Sequence, residues 1–173
     1  MKEYNNSSMI RIPDRFFVNG RLPVEHFEPD ELLYFRFSSI HFTDESRLPV
    51  AAIKFPDFSV NRGKFSQPTD VLIPHWEGWG IAEFEVQAIP LTLNSGDGRE
   101  FEFKVKHDPI DDKHPYYTQP NQQFENYAHS EVRVFENGEH LKRKLTDSVK
   151  KQFRMKMSDK TKIVVILEPS PAD

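Results

Sequence analysis

From Ile81 to Ile89 the chain alternates. Ala82, Phe84, Val86 and Ala88 are apolar, while Glu83, Glu85 and Gln87 are polar. Successive side chains of a strand point to opposite faces. The segment therefore reads as a strand with one face in a core and the other in water. Phe101, Phe103 and Val105 repeat the pattern against Glu100, Glu102, Lys104 and Lys106. Between them, Ser95-Gly96-Asp97-Gly98 has the residues of a tight hairpin turn. A chain that repeats this period across a turn signal is committed to an antiparallel sheet.

Other segments extend the sheet. Leu32 to Phe37 places Leu33, Phe35 and Phe37 on one face and Tyr34 and Arg36 on the other. An arginine within an apolar strand must reach water, a carboxylate or an anionic ligand. Val50 to Phe55 reads as a second strand, stopped by Pro56-Asp57, and Lys162 to Leu167 as a buried last strand. Phe58 to Ser66 mixes small polar, amide and cationic groups around Gly63, as a turn would. Ser66 to Asp70 can cap a short helix, with Pro68 in its first turn. Glu139 to Met157 reads as the one long helix, because Leu141, Leu145, Val149 and Phe153 form an apolar stripe. Its Lys142-Arg143-Lys144 and Lys150-Lys151 clusters read as a solvated face. With 13 Pro and 7 Gly, further long helices are not expected. The expectation is a polar, frayed start over residues 1–8. A single α+β domain then covers 9–173, with a mainly antiparallel, twisted sheet and one C-terminal amphipathic helix.

Composition narrows the function. A net charge of −4 provides no global basic field, so nucleic acid is not expected as a partner. The chain has no cysteine, which excludes disulfides and thiolate metal sites. Met1 to Ser8 lacks the basic start and apolar run of a signal peptide, and no apolar run approaches membrane-spanning length. A soluble, cytoplasmic protein is the expectation, without a membrane partner.

The chemistry-bearing residues fall in three clusters: Tyr34 with Arg36; Ser59, Asn61 and Arg62; and His129, Glu131 and Arg133. On a strand, His129, Glu131 and Arg133 share a face opposite Val132 and Val134. His107 to Phe124, which includes Asp108 and His114, has no periodicity and leads into this strand. A histidine and a carboxylate two residues apart can do general acid-base work, with Arg36 or Arg62 holding an anion. No HExxH-type spacing supports a metal, and none is assigned. Each cluster also has a structural reading, with His129 packed at the strand start and Glu131 paired to an arginine.

Leu33-Tyr34-Phe35-Arg36, Ser59-Val60-Asn61-Arg62, Asp108-Pro109 and Ala128-His129-Ser130-Glu131-Val132 resemble the pattern of a bacterial family of uncharacterised proteins. The order Arg36, Ser59, Glu131 is also similar to the arginine-serine-glutamate class of ADP-ribosyltransferases. That resemblance implies NAD as cofactor. Arg36 would hold the dinucleotide, Ser59 would support the nicotinamide pocket, and Glu131 would stabilise oxocarbenium charge. Tyr34, Trp76 or Tyr127 would stack on a ring. The chain departs from that class in two places: Val60 and Asn61 follow Ser59 where Thr and Ser would complete the motif, and His129 stands where a first glutamate is common. The expected catalytic residues are therefore Glu131 and His129, with Tyr34, Arg36, Ser59, Asn61 and Arg62 on the cofactor. The function expected is an ADP-ribosyltransferase-like or glycohydrolase-like enzyme. The alternatives are a non-catalytic binding or accessory module acting with a partner protein, and a hydrolase using His129 and Glu131.

Overall fold

A computed structural model describes residues 26–38, 48–54, 58–72, 79–111, 114–115, 125–141 and 145–166. The fold is α+β. Among the described residues, eight strands form one antiparallel sheet: β1 (Leu32–Ser38), β2 (Phe58–Arg62), β3 (Trp79–Glu85), β4 (Thr92–Asn94), β5 (Glu100–His107), β6 (His129–Glu136), β7 (Glu139–His140) and β8 (Lys162–Ile166). One helix, α1 (Asp147–Lys160), precedes β8. The strand order is β4-β5-β6-β2-β1-β3-β8, with β7 paired to β6. No helix among the described residues is long and apolar enough to cross a membrane.

Alternation decides which face meets the helix. Leu33, Phe35 and Phe37 of β1, Phe58 and Val60 of β2, Ala82 and Phe84 of β3 and Val132 and Val134 of β6 all enter one core. Val149, Phe153 and Met157 of α1 close it. Large rings fill most of this space. Phe58 stacks on Phe84 at 5.7 Å, and Phe103 on Phe153 at 4.8 Å. Offset ring pairs of this kind add about 0.5–1.5 kcal/mol beyond their buried area. The opposite face has a smaller apolar cluster of Tyr34, Val71 and Ile81. Leu32, Leu72 and Val165 pack against it, and most of the β2, β5 and β6 side chains on that face are polar.

Several expected elements take other forms. Val50 to Phe55 is not a strand: Val50–Ala52 is a 3-10 turn entered from Pro49. Its apolar residues plug the core as a loop, with Leu48 and Ile53 fully buried. Residues 55–57 lie outside the described set. The strand at Phe58–Arg62 replaces an expected turn, because Phe58 and Val60 need the core face. The strand from Ile81 begins earlier, at Trp79, and ends at Glu85; Val86–Ala88 is a 3-10 turn. There Val86 N and Gln87 N donate to Glu31 O and Pro29 O instead of to a strand. The hairpin partner of β5 is therefore the short β4, not β3.

The helix starts eight residues later than its apolar stripe suggested. Asn137 and Gly138 take positive φ of 53° and 79°, and the chain reverses into β7. Leu141 N still donates to Val134 O at 2.8 Å, so Leu141 extends a strand and not a helix. Of the basic clusters, residues 142–144 lie outside the described set, Lys150 pairs with Asp147 and Lys151 is exposed. The last strand, β8, is an edge and not a buried strand: Val164 and Ile166 are 38 % and 39 % exposed. A bulge interrupts its pairing to β3, a common feature of strand edges.

Gly80 sits under the ring of Phe37. A Cβ built there would lie 2.2–2.8 Å from three ring atoms. Phe37 is 1 % exposed and cannot withdraw without opening the core. Gly80→Ala is expected to lower stability by about 1–3 kcal/mol through overpacking. Urea unfolding followed by circular dichroism measures it, and an unchanged midpoint would contradict this packing.

Candidate functional site

The polar face of the sheet gathers most of the residues singled out from the sequence. β2 pairs with β6 so that Ser59 faces Glu131 and Asn61 faces His129. β1 pairs with β2 through Leu33–Arg62 and Tyr34–Asn61. Strand parity then places Tyr34, Arg36, Ser59, Asn61, His129, Glu131 and Arg133 on one face. Residues far apart in sequence thus converge because three strands lie side by side.

Protein groups already hold most of these side chains. Arg36 Nη1 donates to Val71 O at 2.9 Å. Burial draws the Arg36 pKa down to about 10, well above neutrality, so the guanidinium stays charged. Tyr34 is 8 % exposed, and burial together with nearby Glu83 raises its pKa. Asn61 is buried: its Nδ2 donates to Asp70 O at 3.4 Å and its Oδ1 accepts from Asn126 Nδ2 at 2.9 Å. Asn61 therefore joins β2 to two flanking turns.

The centre is a charged network around β6. Arg133 Nε donates to Glu131 Oε2 at 3.0 Å, and Arg133 Nη2 donates to Asp108 Oδ2. His114 Nε2 lies 3.3 Å from the same Asp108 oxygen. Burial pulls down on the Arg133 guanidinium, but the Glu131 and Asp108 carboxylates outweigh it and raise its pKa. His129 is 4 % exposed, with Nδ1 2.6 Å from Asp108 O. A carbonyl oxygen only accepts, so this contact puts a proton on Nδ1. Burial depresses the His129 pKa, and nearby His114 adds to the effect. The Asp108 carbonyl and the Glu131 and Asp108 carboxylates oppose it without overcoming it.

Arg62 does not join this face. It has the parity of Val60 and points to the core side, where it is fully buried. Its Nε and Nη2 donate to the two Glu31 carboxylate oxygens at 2.6 Å each, and Nη2 also donates to His26 O. The guanidinium lies 4.0 Å from the Phe27 ring centre and 5.0 Å from that of Phe65. His107 is likewise on the core side, 3.3 Å from Ser130 Oγ, so it does not converge with His114 and His129. No group of three His, Asp or Glu among the described residues is placed to hold a metal. Tyr127 packs edge-on against Phe65 and His107, and Trp76 lies outside the described residues.

Asp108 belongs to the segment already singled out before β6, whereas Asn126, the partner of Asn61, and Glu31, the partner of Arg62, were not among the expected residues. Asp108 precedes Pro109 at the end of β5, where a chain leaving the sheet carries its side chain back over β6. Asn126 and Glu31 have no local signal, since their partners are 65 and 31 residues away. No family model, curated protein or solved structure matches the chain.

Two outcomes follow from this geometry. Arg62→Ala leaves Glu31 buried without its partner and should cost about 3–5 kcal/mol. The double change Arg62→Met with Glu31→Leu should cost much less, because no charge is left stranded. Equal losses in the two proteins, read from urea midpoints, would remove the ion pair from this role. The second concerns pH. The native state resists protonating His129 while the unfolded chain binds the proton near the ordinary value of 6.5. Stability from this group is present above 6.5 and is lost as pH falls from there. His129→Asn, whose amide can still donate to Asp108 O, should flatten the fall in urea midpoint between pH 7.5 and 5.5. An identical pH slope in both proteins would contradict the assignment.

Proposed function

We propose that this chain is a non-catalytic binding module that holds a nucleotide-type ligand on the polar face of its sheet. The observation that carries this reading is the engagement of Glu131. Its carboxylate already accepts from Arg133 at 3.0 Å, and Arg133 is shared with Asp108. A carboxylate neutralised by its own neighbour offers little to a developing oxocarbenium charge. The same network suits binding. Arg133 and Arg36 bring cationic forks to one side of the sheet, and fixed neighbours reduce the ordering that a ligand must impose. An anionic ligand would compete with Glu131 and Asp108 for Arg133, exchanging hydrogen bonds without breaking a covalent bond.

A second reading has one observation in its favour. Ser59 and Glu131 are direct cross-strand partners, with Arg36 on the same face. That arrangement supports NAD-using transfer or glycohydrolysis, with Arg36 on the pyrophosphate and Glu131 opposite the ribose.

One experiment separates the two. Purified protein is titrated with NAD and ADP-ribose by calorimetry, and free nicotinamide is followed in parallel. The binding module takes up ligand and releases no nicotinamide. Turnover in the wild type that disappears in Glu131→Gln would establish the enzyme instead. Glu131→Gln itself should fold, with a stability loss of about 1 kcal/mol, because Arg133 keeps Asp108 as a partner. Failure of both ligands to bind would end the nucleotide reading.

A further inference from the structure

Next to the charged network, the same face carries an aromatic residue ringed by cations. Phe135 shares the parity of Glu131 and Arg133, faces Glu102 on β5 and His140 on β7, and is half-buried. Lys104 Nζ and Lys106 Nζ lie 5.2 Å and 5.8 Å from its ring centre. The His140 ring is tilted over it at 5.7 Å. Lys104 is also ion-paired with Glu102 and sits directly opposite Arg133. Lys106 faces Glu131, but Arg133 holds that carboxylate, and among the described residues Lys106 forms no ion pair. Two ammonium groups thus converge on one ring with a single carboxylate, Glu102, paired between them.

We infer that Phe135, Lys104 and Lys106 form the seat of a nucleotide, with the base on the ring and the phosphates on the two ammonium groups. The inference rests on the nucleotide-binding reading of this face and names where that ligand sits. An aromatic ring on a sheet face stacks any nucleobase, because every base has a flat π surface. Both lysines are exposed, so their stems are free to turn from the ring to a phosphate. Arg133, two residues along β6 from Phe135, extends the cationic strip toward the network. A free nucleotide fits better than a nucleic acid strand, because Glu102, Glu131 and Asp108 interrupt the strip and would repel a continuous phosphate backbone.

The test titrates the full chain with ATP and, separately, with inorganic triphosphate, which has the charge without the base. Wild type should bind ATP more tightly than triphosphate. Phe135→Leu should weaken ATP about tenfold and triphosphate less than twofold. Lys104→Gln with Lys106→Gln should weaken both about tenfold and reduce the salt dependence. Phe135→Trp offers a second route that keeps an aromatic surface: ATP should quench its added indole fluorescence relative to wild type. ATP binding that is unchanged in Phe135→Leu, or no added quenching in Phe135→Trp, would overturn this seat and leave the binding-module reading standing. Equal wild-type affinity for ATP and triphosphate would overturn base stacking. A single-stranded oligonucleotide binding more tightly than ATP would overturn the free nucleotide as occupant. Wild type that binds neither ATP nor NAD would end both proposals.

Discussion

The buried pairing of Arg62 with Glu31 sets the frame for everything around it. A guanidinium with no solvent exposure is tolerated only when a carboxylate neutralises it, and Glu31 does so here through Nε and Nη2. Glu31 immediately precedes β1 and Arg62 ends β2, so the pair locks the two strands at one end. Gly63 N donates to Leu32 O at 2.8 Å beside it, an approach that a side chain at position 63 would obstruct. With that end held, the β1–β2 register is fixed through Leu33–Arg62 and Tyr34–Asn61. A slip of one residue would turn Phe58 and Val60 out of the core and drive Ser59 and Asn61 into it. The ion pair contributes less as net energy than as a constraint on register, and the polar face inherits its order from that register.

Where the sequence was informative, period was the reason. β1, β3 and β5 alternate cleanly, and the parity of His129, Glu131 and Arg133 against Val132 and Val134 survives in the folded sheet. Where it misled, two structures shared one local pattern. Leu141 and Leu145 are four apart, as on a helix, yet Asn137-Gly138 makes the first the continuation of a strand. Val50 to Ile53 is apolar with β-branched ends, as a strand can be, yet Pro49 starts a 3-10 turn, and Ala52 and Ile53 enter the core from a loop. β2 is short, and its Ser, Asn and Arg disguise the Phe58–Val60 pair that orients it.

The candidate site divides along the same line. Which side chains share a face follows from parity, and parity with Val60 already sends Arg62 to the core side. Which strands lie side by side does not follow from local pattern. β6 inserts between β5 and β2, and this non-local choice alone brings Ser59 to Glu131. Partners such as Glu31 for Arg62 and Asn126 for Asn61 come from chain segments whose own composition carries no sign of the contact.

The arrangement of charge on the polar face bears on what that face does. Lys104 and Arg133 stand directly opposite each other on β5 and β6, a like-charge pairing that destabilises a sheet when nothing offsets it. Here each cation has an acid beside it, Glu102 for Lys104 and both Glu131 and Asp108 for Arg133. The two sets are not equivalent. Glu131 and Asp108 are largely covered, and the Asp108 carbonyl anchors the buried imidazole of His129, whereas Lys104 and Glu102 lie nearer to water. One end of the face is therefore rigid and internally neutralised, and the other is exposed and adaptable. Chemistry at Glu131 would require breaking the rigid end. Ligand capture would require only that exposed lysines exchange one carboxylate for another anion, and this asymmetry is the ground on which binding is proposed over turnover.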